Sequence, residues 1–395
     1  MGKKLQPKLR FRGFTDAWEP RKLKSLLQES TQTSTDKEIL SVTVANGIYP
    51  AREGARESNP GESLEKYKVV HENDIVYNSM RLWQGAIAIS HYEGIVSPAY
   101  TVCIPSVHIN PDFISYLLKR PAALRMFYSL SQGNSKDTLI LKYPLFSTIK
   151  FSLPAGREQY HIARLLRCVD QLIDAEKRKL NLLKDKKTAL LRQIFDQKAR
   201  FKGYTDPWEP RRLGEICSFK KGQGYSKKDT CDSGTPLLLY GQMYTNYATA
   251  VTSADAYTTP HPHSVYSTGK EVIVPSSGET QEDIAVASAV LEPGIIYGGD
   301  INILTPPDYL NPVFLALTIS GGPAHRRLAE RAQGKTIVHL RNLDIAQVDI
   351  ALPEESEQVR IAELFMGLDN LIDAESRKID LLELKKKALL QQMFV

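Results

Sequence analysis

Four cysteines, Cys103, Cys168, Cys217 and Cys231, are too few and too scattered to build a disulfide framework or a zinc site. They read as the reduced thiols of a cytoplasmic protein. "HPH" at His261–His263 has no Cys, Asp or Glu cluster at ligand spacing beside it, so no metal is expected. Long apolar runs are missing too. None approaches the ~18–20 residues that a membrane span requires. The opening "MGKKLQPKLR" is basic with no apolar stretch after it, so no signal peptide is expected, and Gln6 stands where a myristoylation start needs Ser or Thr. Cofactor chemistry leaves no trace. There is no "GxxxxGK[ST]" loop for nucleotide phosphates. "TPPDY" puts Thr305 where an amino-methyltransferase tetrad needs Asn or Asp, and "PSSGET" around Ser276 and Ser277 lacks the nucleophile elbow. The Gly-x-Gly of "KKGQGYSKK" is weak on its own. No catalytic constellation is expected on this chain.

What remains is an ordinary globular composition. The 395 residues suffice for two or more domains, with 42% hydrophobic and 24% charged residues. The net charge of +6 permits a polyanionic partner without demanding one.

The informative feature is a tandem repeat. "RFRGFTDAWEPRKL" from Arg10 returns as "RFKGYTDPWEPRRL" from Arg200. The stretch Leu153–Phe195 returns as Leu352–Phe394, with 24 of 43 positions identical and no gap. Between these ends the copies share little sequence. Both middles carry short β-rich runs broken by Gly, Pro, Asn and Asp, and a few helical candidates. Each reads as an α+β domain of ordinary size. The boundaries implied are 1–152 and 199–351 for the two domains, with helical segments at 153–198 and 352–395. Shared ends with private middles suit two recognition modules on one symmetric frame. Trp18 and Trp208 repeat with the frame and are expected to be core anchors.

The helical segments carry a heptad seam: Ile162, Leu166, Val169, Ile173, Glu176, Leu180, Leu183, Lys187, Leu190, Ile194, and the same series from Ile361 to Met393. Helices of this length would be roughly 60 Å long. Flanking Leu172, Leu182 and Leu191 widen the apolar stripe, leaving room for another packing partner. Each seam contains one Glu and one Lys. An antiparallel pair would place Glu176 opposite Lys386 and Lys187 opposite Glu375 in a single register, whereas a parallel pair would oppose like charges. An antiparallel coiled coil set by these four residues is therefore expected. Such a spacer would fix the separation of two modules, as two-fold DNA readers require for half-sites about one helical turn apart.

The repeated "F(R/K)G(F/Y)TD(A/P)WEPR(K/R)L", the repeated "EQ..IA.L....D.LIDAE.RK" and the variable stretches between them resemble the specificity subunit of type I restriction–modification systems. The resemblance covers nearly the whole chain. "ENDIVYNSMRLWQGAIAISHYEGIVSPAYTV" is similar to the core of a target recognition domain of that family. The fold implied is α+β: two α/β target recognition domains separated by two long helices that form an antiparallel coiled coil, with pseudo-twofold internal repetition. The function implied is non-catalytic: each domain reads half of a bipartite DNA target, and the helical pair sets the gap and docks two modification subunits. S-adenosylmethionine would then sit on the modification subunits, and ATP and magnesium on separate restriction subunits. A self-contained methyltransferase or nuclease, and a coiled-coil scaffold without DNA function, are the alternatives.

Base reading needs forked donors and acceptors, and phosphate contact needs Lys, Arg, Ser or backbone amides. In the first domain these are Asn78, Ser79, Arg81 and Gln84 of "NSMRLWQG", with Gln132, Asn134, Ser135 and Lys136 of "SQGNSKD". In the second they are Lys220, Lys221, Gln223, Tyr225, Lys227 and Lys228 of "KKGQGYSKK", then Gln242, Tyr244 and Asn246, then Gln333 and Lys335.

Overall fold

The repeated opening becomes a strand because its partner is the repeated closing. In the computed structural model, which describes residues 6–54, 63–245, 247–334 and 337–395, Glu19–Lys22 pairs antiparallel with Lys150–Leu153. Glu209–Arg212 pairs in the same way with Asp349–Leu352. Each short ladder closes a domain at the point where a long helix begins. The helices are Gly156–Phe195 and Glu355–Gln392, of 40 and 38 residues.

The chain divides into two compact units. One comprises residues 1–176 with 379–395, and the other 177–378. Each unit thus holds a variable domain and one half of each long helix.

In the first unit a four-stranded antiparallel sheet runs in the order Leu27–Glu29, Tyr100–Pro105, Ile75–Asn78, Ile87–Ile89. The second unit repeats that order with Ser218–Lys221, Ile301–Thr305, Glu271–Pro275 and Ser288–Val290, and adds Ala250–Val251 in parallel at the edge. After the long central strand each unit places two short helices: Pro111–Lys119 and Pro121–Leu130, against Pro312–Ser320 and Gly322–Arg331. Asn110 and Asn311 cap the first of each pair, accepting from Phe113 N and from Val313 and Phe314 N, with proline at the first turn. The variable middles differ in sequence yet share this frame. They diverge in what is appended: a Leu40–Thr43/Gly47–Pro50 hairpin in the first unit, and a second four-stranded sheet around Thr235–Leu238 in the second.

The shared "EQ" at the start of each helix explains its own repetition. Arg10 forms two bonds to Glu158, at 2.8 and 2.7 Å, and Arg200 does the same to Glu357, at 3.0 and 2.6 Å. Such forked pairs hold best where water is excluded, and Glu158 and Glu357 are both buried. The following glutamines each donate to a proline carbonyl, Pro154 or Pro353, and accept from the Asn110 or Asn311 amide. One motif thus fastens the opening strand, the capped helix and the long helix together.

Trp18 and Trp208 are core anchors, as expected, and are 2% and 6% exposed. Each closes a three-ring cluster. Trp18 meets Phe113 and Phe394, and Trp208 meets Phe314 and Phe195. The equivalent phenylalanines are exchanged: the end of the second helix completes the first unit, and the end of the first helix completes the second.

The helix halves run antiparallel in both units, but in a register other than the one expected. In the first unit Lys386 pairs with Asp170 at 2.5 Å, not with Glu176. In the second Lys187 pairs with Asp369 at 2.5 Å, not with Glu375. Glu375 takes Lys179 at 2.7 Å and Lys378 at 3.5 Å. Charge does pair the helices: both seam lysines meet the repeated Asp that flanks the seam, and the seam residue Glu375 meets Lys179. The reason is packing. Ile162 and Leu166 share the first core with Met393 and Phe394, and Phe195 shares the second with Phe365. These aromatic ends fix the register, and the lysines find the acid that this register brings near.

Candidate nucleic-acid interface

The other inner strand of each sheet, Ile75–Asn78 or Glu271–Pro275, leads into a loop. In the first unit Ile75–Asn78 leads into a one-turn helix, Leu82–Gln84. Leu82 is fully buried and anchors it, Trp83 stands edge-on to Tyr128 at 5.5 Å, and Gly85 turns the chain back with φ 97°. Asn78 Oδ1 accepts from Met80 N at 2.9 Å, Ser79 Oγ lies 3.1 Å from Thr101 Oγ1, and Arg81 donates to Gln84 Oε1 at 3.2 Å.

The second predicted stretch comes to the same place. Gln132 forms a bridge with Ile140, and Leu141 N donates to Ser79 O at 2.9 Å. The two loops therefore lie side by side. Between Gln132 and Asn134 the chain needs glycine, since a Cβ on Gly133 would lie 2.4 Å from the Thr138 carbonyl. Gln132, Asn134, Ser135 and Lys136 are exposed there. The residues singled out in this unit, from Asn78 to Lys136, thus fall on two adjoining loops. A cavity of about 290 Å³ beneath them is lined by Ser79, Met80, Thr101 and Lys142 among others.

The second unit repeats the scaffold. Gln333 bridges His339, Leu340 N donates to Ser276 O at 3.1 Å, and a Cβ on Gly334 would strike the Ile337 carbonyl. Gln333 is exposed. Asn246 and Lys335 lie outside the described residues. The loop that corresponds to Asn78–Gln84 is Ser276–Asp283, which the sequence pattern did not mark as a reading surface. The usable signal was the shared Gln-Gly: once Gln132 and Gln333 are matched, the loops hydrogen-bonded to them match as well.

The remaining candidates of this unit scatter. Lys220, Lys221, Gln223, Lys227 and Lys228 are exposed on the edge strand and the turn that follows it. Tyr225 stands apart from these: it is 5% exposed, stacks on His261 at 4.9 Å and accepts from the His261 amide at 2.7 Å, so it holds a loop. Gln242 accepts from Leu239 N and is half-buried. Tyr244 donates to the Ser277 carbonyl at 2.5 Å, and burial, with Asp283 adding to it, pushes its phenol above the ordinary range. With Tyr240, Tyr247, Glu279, Glu282 and Asp283 it lines a cavity of about 760 Å³. Among the described residues no group of His, Cys, Asp and Glu could hold a metal ion, and no helix is long and apolar enough to cross a membrane.

Residues 15–185 and 205–384 each match the family model of the type I restriction modification DNA specificity domain. The chain belongs to that family. As a type I specificity subunit it carries two DNA target recognition domains and is the non-catalytic component of its system. It is similar to the MjaVIII specificity subunit of Methanocaldococcus jannaschii, 23% identical over 343 residues, covering 82% of this chain and 78% of the relative. A second similar protein, the putative MjaX specificity subunit of the same organism, is 22% identical and covers 94% of this chain and 92% of its own. The specificity subunit fold agrees with the crystal structure of a type I S subunit from M. genitalium, at a TM-score of 0.63, 14% identity and 99% coverage of both chains. It also matches a chain from a structure described as showing complex assembly and conformational transition of the type I system, at a TM-score of 0.55, with 95% and 97% coverage.

Proposed function

We propose that this specificity subunit reads a bipartite duplex target, one half through each unit, while the helical pair sets the gap and docks two modification subunits. The observation that carries the reading is the repeated scaffold: two units with one sheet order, each presenting a post-strand loop hydrogen-bonded to a Gln-Gly hairpin, with different side chains on top. A shared frame with private loop chemistry is what two half-sites of different sequence require. In the first unit Asn78, Ser79, Arg81, Gln84, Gln132, Asn134 and Lys136 form the reading surface. In the second, Gln333 and the Ser276–Asp283 loop read, and Lys220, Lys221, Lys227 and Lys228 meet phosphates. Exposed leucines on the long helices, among them Leu172, Leu182, Leu371 and Leu384, suit the docking of other subunits. S-adenosylmethionine binding and adenine methylation would reside on the modification subunits, and ATP-driven restriction with magnesium on the restriction subunits, all acting in the cytoplasm.

The test is the adenine-methylation map of host DNA with the chain present and deleted. Loss of one split motif, two short halves around a constant gap, is expected. Loss of an unsplit motif would overturn the two-headed reading, and methylation by the isolated chain would overturn the division of labour.

A further inference from the structure

The first unit exposes a cation that is held but not neutralised. Arg81 opens the one-turn helix Leu82–Gln84, and its backbone is fixed on both sides: its amide donates to Asn78 O at 3.0 Å and its carbonyl accepts from Ala86 N at 3.2 Å. Beneath it Leu82 is buried and Trp83 packs on Tyr128. Gln84 Oε1 takes one guanidinium N–H. Among the described residues no carboxylate lies within 4.0 Å of this guanidinium. Arg10 and Arg200, by contrast, are fully engaged by Glu158 and Glu357. The Arg81 side chain therefore keeps most of its donor fork, on a rigid turn beside the Gln132–Lys136 hairpin. A phosphate contact needs only a flexible cation, which Lys136 on that hairpin supplies. A planar guanidinium fork matches two acceptors side by side, and in the major groove these are O6 and N7 of guanine.

We propose that Arg81 reads a guanine in the half-site of the first unit, with Gln84 as its positioning residue. This rests on the two-headed reading above and adds the base and the side chain. The corresponding loop of the second unit, Ser276–Asp283, carries Glu279, Glu282 and Asp283 and no Arg or Lys, so guanine reading of this kind belongs to one unit only.

The experiment uses the chain assembled with its modification subunits and duplexes of the motif found by methylation mapping. Each guanine is replaced in turn by 7-deazaguanine, which lacks N7, or by inosine, which keeps both major-groove acceptors. One 7-deazaguanine position should weaken binding by about ten- to a hundred-fold, and inosine there should not. In Arg81→Ala the same replacement should cost nothing further, and methylation should relax at that base alone. Gln84→Met should give a smaller loss confined to the same position. No position coupled to Arg81, or an Arg81→Ala loss uniform across sequences, overturns the proposal. If Arg81→Ala fails to assemble, a wild-type complex indifferent to 7-deazaguanine at every position overturns it equally. A methylation map unchanged by deleting the chain sinks the underlying function instead, a result distinct from all of these.

Discussion

The two units are built alike and armed differently. After the same inner strand, at the same hydrogen bond to the Gln-Gly hairpin, the first unit places Arg81 and Gln84, and the second places Glu279, Glu282 and Asp283. The frame is made of backbone bonds, a capped helix and a buried Arg–Glu fork, so its residues are tightly constrained. The loops sit on that frame with Arg81 on one and Glu279, Glu282 and Asp283 on the other exposed, so the chemistry at these positions can change without harm to the fold. Even within the frame the copies are not identical. Trp208 Nε1 donates to Glu357 at 3.2 Å, whereas the Trp18 indole N–H has no protein partner. Asp170 accepts from Tyr116 at 2.6 Å as well as from Lys386, while one oxygen of Asp369 is left without a partner.

The largest break in the likeness should come from the exchanged phenylalanines. Phe394→Ala is expected to destabilise the first unit by ~3–5 kcal/mol and Phe195→Ala the second by as much, each leaving the other unit standing. Thiol labelling separates the two. Cys103 and Cys217 are buried, which raises both thiols, Cys217 to about 12, so each reacts at neutral pH only when its own unit opens.

Removing the buried acid sharpens the contrast. Glu158→Ala and Glu357→Ala should each cost ~3–5 kcal/mol by stranding an arginine, with Glu357→Ala worse by about 1 kcal/mol because Trp208 also loses its acceptor. Denaturant midpoints read through the same two thiols check the order.

The units should also differ toward DNA. Replacing Lys220, Lys221, Lys227 and Lys228 by Gln should lower affinity for all sequences. The salt dependence should flatten by about one unit of slope for each phosphate that is no longer neutralised. The motif itself should stay unchanged in the methylation map.

The smallest effect concerns the helices. A double-mutant cycle on Lys386 and Asp170 should give a coupling of at most about 1 kcal/mol, since both groups are partly exposed. The cycle on Lys386 and Glu176 should give none. The reverse result would restore the register expected from the seam.

The sequence by itself determined the repeat, the family frame, the buried tryptophans and the antiparallel sense of the helices. These follow from identities at matched positions and from a seven-residue period, both local and countable. It also marked two stretches of the first unit that the fold brings side by side, because "NSMRLWQG" and "SQGNSKD" put forked polar side chains around glycines. Tertiary structure alone decided three things. It set the helix register, because Phe195 and Phe394 dock into cores distant in sequence and the lysines then meet Asp369 and Asp170. It buried Tyr225, since burial depends on what packs over a residue and not on its neighbours in the chain. And it brought Ser276–Asp283 into the place of Asn78–Gln84, because correspondence between diverged loops is carried by backbone hydrogen bonds, which leave no mark on side-chain identity.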